Sequence, residues 1–131
     1  MNLVLEKEDY NPDYLFFYDP VKNTVMDDSY FIRIIYSNED LILNGVYLKI
    51  ELDKNTQYNI LNFLDQLEKQ ILSKYNNMKI FSKKLREQLI FLLKKNQPID
   101  DKIIQYSLKI SGIWETNSTI GLTFKFMFIH Q

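Results

Sequence analysis

Apolar and polar positions recur with two different periods along this 131-residue chain, and the changes of period divide it. From Ser29 to Ser37 the run SYFIRIIYS is dense in β-branched and aromatic residues and stops at the turn cluster Asn38-Glu39-Asp40. LIL-NG-VYLKIEL follows. Asn44-Gly45 between two apolar runs is the strongest short-range hairpin signal, because a type I′ turn needs positive φ at both central residues. The spacing therefore predicts a β-meander over residues 30–52. In its last strand Val46, Leu48, Ile50 and Leu52 share a core face, leaving Tyr47, Lys49 and Glu51 on the other.

The period then becomes helical. Ile60, Leu64, Leu67, Ile71 and Tyr75 recur at three- and four-residue steps between Thr56 and Tyr75, with Leu61 and Leu72 widening the stripe. Asp53, Asn55 or Thr56 would cap the start, and Asn76-Asn77 the end. A second helix is predicted from near Ser82, a capping residue, to Asn96, before Pro98, with Leu85, Leu89, Leu92 and Leu93 on one side. The two helices thus occupy residues 56–96.

Alternation returns over residues 103–129. Ile104, Tyr106, Leu108 and Ile110 alternate with polar residues, as do Leu122, Phe124, Phe126 and Phe128, and Glu115 to Thr119 form the intervening loop. This predicts a long hairpin with its phenylalanine side inward. Residues 1–29 form an N-terminal extension of mixed character. Leu3 to Leu5 and YLFFY (Tyr14–Tyr18) are short strand candidates there, and Pro12 and Pro20 interrupt it.

A meander, a helical insertion and a hairpin make a single α+β domain. That order matches the small antiparallel β-barrel of the oligonucleotide-binding type, with a two-helix insertion between strands 3 and 4. Trp114, the only tryptophan, decides whether the last hairpin has a chemical face. Strict alternation from Leu108 sets it on the core side, which is the expectation for a lone tryptophan in a small sheet. A bulge at Gly112 would reverse the phase and turn it outward.

Composition narrows the function classes. There is no cysteine, so disulfides, thiolate nucleophiles and thiolate metal sites are excluded, and a reducing, intracellular setting is expected. No apolar run is long enough to span a bilayer, so no membrane association is expected. The net charge of −1 conceals an asymmetry: residues 1–53 carry 11 acidic and 4 basic side chains, residues 54–131 carry 6 and 12. Lysines and Arg86 crowd residues 69–95, where Glu87 is the one acid. Such a run either attracts phosphates or forms solvated helix faces that pair with the acidic half, and the second is the simpler reading.

Catalytic chemistry finds little footing, and an enzyme is not expected. His130 is the sole histidine, next to the last residue. Asp27-Asp28 and Asp100-Asp101 are sequence neighbours that point apart on a strand. Glu8, Asp9 and Asp13 are the remaining cluster to consider for Mg²⁺. No glycine-rich phosphate loop or nucleophile elbow is present. No cofactor is implied.

The stretch ISGIWETNSTIGLTFKF, with its Ile-Trp pair, short polar loop and Gly-Leu-Thr-Phe-Lys run, resembles the terminal strand pair of single-stranded-DNA-binding proteins encoded by large double-stranded DNA viruses. YSNEDLILNGVYLKIEL is similar to their second and third strands. The resemblance implies sequence-independent binding of single-stranded DNA, or RNA, in replication or repair, in the nucleus or cytoplasm of a host. Parity and chemistry together supply the residues: Tyr47, and Trp114 at the rim beside the last loop, for base stacking, and Arg33, Lys49, Lys109 and Lys125, on the non-core phases of their strands, for phosphates. Each alone is better read as an ordinary structural residue, and the case rests on their coming together on one groove. The rival reading is a non-enzymatic adaptor or structural protein that self-associates through an aromatic-rich sheet surface, since nine tyrosines and nine phenylalanines exceed the needs of one small core.

Overall fold

The computed structural model describes residues 4–24, 28–95 and 103–129. His130, Asp27 and the Asp100-Asp101 pair lie outside the described residues, as do Leu3 and the Asn96 to Pro98 helix end. Eight strands and two α-helices form an α+β fold: β1 (Leu15–Phe17), β2 (Val21–Lys22), β3 (Tyr30–Ser37), β4 (Ile42–Leu43), β5 (Val46–Leu52), α1 (Gln57–Asn76), β6 (Ile80–Ser82), α2 (Leu85–Lys95), β7 (Ile104–Glu115) and β8 (Thr119–Phe128). Both helices fall between β5 and β7 as the spacing predicts, with the three-residue β6 between them.

The strands make one mixed sheet in the order β1-β3-β7-β8-β6. Its pairs are antiparallel except β6 with β8. Among the described residues the ladder does not close on itself, since β1 and β6 end it, so the expected closed barrel is replaced by an open sheet. The meander also differs from expectation. β4 pairs with β3, whereas β5 pairs along its whole length with β7, from Val46↔Ile110 to Leu52↔Ile104. Asn44-Gly45 is thus a step from one strand to another and not a hairpin turn. Gly45 has φ +113°, and a Cβ there would stand 2.9 Å from the Ile110 carbonyl oxygen. Both constraints select glycine.

β7 is a spine with a fork. Residues 104–110 pair with β5 and residues 112–115 pair with β3 on the same edge. Where the partner changes, the β7–β8 register shifts between Ile110 and Gly112, which leaves Ser111 as a bulge. The opposite edge of β5 is occupied at one point by Leu5, which donates to the Tyr47 carbonyl and accepts from the Lys49 amide.

One face of the sheet carries the core. Ile32, Ile34, Tyr36, Val46, Leu48, Ile50, Tyr106, Leu108, Ile110, Ile113 and Ile120 are buried together with Ile60, Leu64, Leu67, Ile71 and Leu72 of α1. The start of α1 is held by Asp53, whose carboxylate accepts from the amides of Asn55 and Thr56, while the Thr56 hydroxyl accepts from the Asp53 amide. These bonds hold the Asp53 carboxyl below its usual range. The start of α2 is held differently. Glu68 of α1 is 1% exposed, and its carboxylate accepts from the amides of Lys84 at 3.0 Å and Leu85 at 3.4 Å. A side chain on one helix therefore caps the other, taking the role expected of Ser82, which lies in β6.

The N-terminal extension is tied down. Tyr10 stacks on Tyr36 with ring centroids 5.8 Å apart and donates to Gln70 of α1, and Lys74 donates to the carbonyls of Pro12 and Leu15. Burial, then the neighbouring Tyr36, pushes the Tyr10 phenol well above its ordinary range. The lysine-rich run is largely consumed in the same manner. Lys69 and Lys83 pair with Asp65, Lys79 pairs with Glu115, and Lys84 pairs with Glu87. Asp65 is held below its usual range by the hydrogen bonds from Lys83 and Lys69. Much of the basic segment is thus engaged within the fold, but its ion pairs are with acids of residues 54–131 and not with the acidic half that the simpler reading named.

Candidate nucleic-acid interface

Residues opposite one another on antiparallel strands project to the same face, so register fixes what the helix-free side presents. Tyr47 of β5, Lys109 of β7 and Lys125 of β8 form one row across three strands. The Lys109 ammonium stands 5.6 Å from the Tyr47 ring centroid. The next row is Lys49, Ser107 and Met127. On the far side of the bulge, Arg33 of β3 lies opposite Gly112, and Phe31 opposite Trp114.

The bulge at Ser111 settles the tryptophan. It shifts the phase of β7, so Ile113 joins the core and Trp114 turns to the helix-free face. The expectation of a core tryptophan is thus corrected by a single inserted residue. The indole is half-buried because it lies on Gly121, its cross-strand partner, where a Cβ would come within 2.5 Å of the ring. Phe31 rests on Gly112 in the same way, also at 2.5 Å from a notional Cβ. Two glycines thus seat two aromatic rings, each with one side against backbone.

All six predicted site residues fall on this one face. Their charges are not equally available. The Lys49 ammonium is 2.9 Å from Glu51 and 3.6 Å from Glu6, and the Glu51 hydrogen bond, then the charges of both acids, raises its pKa. Gln105 donates to the same Glu51 at 2.6 Å. Lys49 is therefore held between two carboxylates, in a corner of net negative charge, and is set apart from the other cations. Among the described residues no carboxylate is within ion-pair distance of Arg33, Lys109 or Lys125.

Further residues join the face that sequence parity had not connected to it. Phe16 pairs with Ile35, and Tyr18 donates its amide to the Arg33 carbonyl, so both side chains share the outward phase at 54% and 56% exposure. Val21 pairs with Phe31 beside them. YLFFY was legible as a short strand, but neither its outward phase nor its partner strand was. The result is a track of aromatic rings with three available cations.

No group of three His, Cys, Asp or Glu residues arranged for an ion occurs among the described residues. No helix among them is long and apolar enough to cross a membrane. Comparison of the chain with protein-family models, with curated proteins and with solved structures finds no match.

Proposed function

We propose that the helix-free face binds single-stranded nucleic acid without sequence preference, in the manner of oligonucleotide-binding sheets but on an open sheet. The carrying observation is the shared face of Trp114, Phe31 and Tyr47 with Arg33, Lys109 and Lys125. Rings seated on glycines keep one side for stacking, and base–aromatic stacking contributes roughly 1–3 kcal/mol per base whatever the base. The distance from Trp114 to the Tyr47–Lys109 row is about five residues of strand, or roughly 16 Å, enough to separate two stacked bases by backbone between them. The resemblance of ISGIWETNSTIGLTFKF to viral single-stranded-DNA-binding proteins points the same way. In that role the protein would cover unpaired strands during replication or repair.

Trp114 is the only tryptophan and lies on the proposed track, so it is also the reporter. Titration with oligo-dT should quench its emission, and the affinity should fall with log[salt] at a slope of about −2, from roughly −0.7 for each of three neutralised phosphates. Replacing Arg33, Lys109 or Lys125 by Ala should each reduce that slope by about 0.7. An emission spectrum unchanged by oligonucleotide at low salt rejects the proposal and leaves the aromatic face as a protein contact.

A further inference from the structure

The helix-free face changes sign along its length. Two residues of an antiparallel strand advance roughly 7 Å, so the outward rows follow one another at that spacing. The first row is Tyr47, Lys109 and Lys125, with two cations. The second is Lys49, Ser107 and Met127, and the third joins Glu51 to Gln105 and Ile129. Past the first row, Lys49 is therefore the one cation that these rows supply, and it stands among acids.

The acids are brought there from separate parts of the chain. Gln105 of β7 donates to Glu51 at 2.6 Å and anchors the carboxylate that lies 2.9 Å from the Lys49 ammonium. Glu6 follows Leu5, whose amide donates to the Tyr47 carbonyl and whose carbonyl accepts from the Lys49 amide. That backbone bridge carries Glu6 to the outer edge of β5, where its carboxylate is 3.6 Å from the same ammonium.

We infer that Glu6 and Glu51 end the nucleic-acid path: they hold Lys49 away from phosphate and confine phosphate contacts to Arg33, Lys109 and Lys125. The inference rests on the nucleic-acid reading above and adds the boundary of its site. Two carboxylates around one ammonium leave one negative charge. The screening length is about 8 Å at physiological ionic strength, comparable with the spacing of the rows. A phosphate on the first row is drawn by two cations and feels the carboxylates largely screened. A phosphate one row further must take Lys49 from both carboxylates and then lie against them. A single strand therefore approaches from the Trp114 end, reaches the Tyr47 row and leaves the sheet there.

Salt titrations of oligo-dT binding by the whole chain test this, with Lys49 as the internal control. Replacing both acids, Glu6→Gln with Glu51→Gln, frees Lys49. Binding should tighten, and the slope should steepen from about −2 to about −2.7, the increment of one more neutralised phosphate. Lys49→Met alone should leave the wild-type slope unchanged, unlike Lys109→Ala. Added to the double substitution, Lys49→Met should return the slope to about −2. None of the three side chains belongs to the buried core. A slope already shallower by about 0.7 in Lys49→Met, no steepening in the double substitution, or a gain that persists without Lys49 overturns the inference and leaves the nucleic-acid reading standing. A wild-type chain that binds no oligonucleotide rejects that reading and the boundary with it.

Discussion

Replacing Glu68 tests the interior of the fold more sharply than any surface change. In Glu68→Ala the buried amide of Leu85 and the part-buried amide of Lys84 lose their acceptor at the start of α2, and water substitutes poorly at the first. Unsatisfied buried donors cost about 1–3 kcal/mol and lost caps about 0.5–2 kcal/mol. Relief of the buried carboxylate offsets part of this, because burial raises the Glu68 pKa despite the two amides and Lys83. A net loss of ~2 kcal/mol follows. With an unfolding entropy of about 2.1 cal/mol/K per residue, that lowers Tm by roughly 7 °C. Glu68→Gln keeps an acceptor oxygen and should lose less than half as much. The pH dependence carries a sign. A carboxyl whose folded pKa is raised contributes most below its unfolded pKa and loses that contribution as pH rises through the folded value. The Tm gap between wild type and Glu68→Gln should therefore narrow from about pH 4 to neutrality. Calorimetric scans of the three proteins measure it. A Glu68→Ala protein as stable as wild type would refute the capping argument, and a Gln gap that widens with pH would refute the upward shift of the Glu68 pKa.

Gly121→Ala drives a methyl into the indole seat, so Trp114 must lift; its emission should shift to the red, with a stability loss of roughly 1–3 kcal/mol in thermal melts. An unchanged spectrum would mean that the ring does not rest there. Tyr75 donates to Glu115 at 2.9 Å, and burial first, then this bond and the Glu115 charge, pushes its phenol up to about 12. Tyr75→Phe should cost ~1 kcal/mol near neutrality. Because the folded pKa is raised, that advantage should disappear as pH climbs from about 10 to about 12, which denaturant melts at alkaline pH and absorbance titration will show.

What could be read in advance divides along physical lines. The helices were legible because α1 repeats its buried stripe over many turns, and the β7–β8 hairpin because its alternation is long. Asn44-Gly45 misled because turn chemistry is local, whereas the partner that captured β5 is β7, more than fifty residues later in the chain. β6 has three residues and no period to detect. Trp114 hung on Ser111 alone, since one inserted residue exchanges the two faces of everything after it. Parity placed Arg33, Tyr47, Lys49, Lys109 and Lys125 on the outward phase of their strands, which a ladder preserves, whereas Trp114 needed the bulge to join them. Glu51 was a legible partner for Lys49, two residues along the strand on the same face, whereas Glu6 was hidden because it arrives from the N-terminal extension, through the bridge of Leu5 to Leu48. Glu68 left a sign that was readable: a carboxylate inside the apolar stripe of α1, between Leu67 and Ile71.

The forked edge of β7 has a consequence during synthesis. β3 and β5 emerge from the ribosome early, yet the strand that unites them is translated only at residues 104–115. Until then their apolar faces have α1 but no complete sheet, and the two strands compete for whatever edges are nearby. Folding should accordingly await that late segment, and a nascent chain stalled before it should be held by chaperones rather than protected by partial structure.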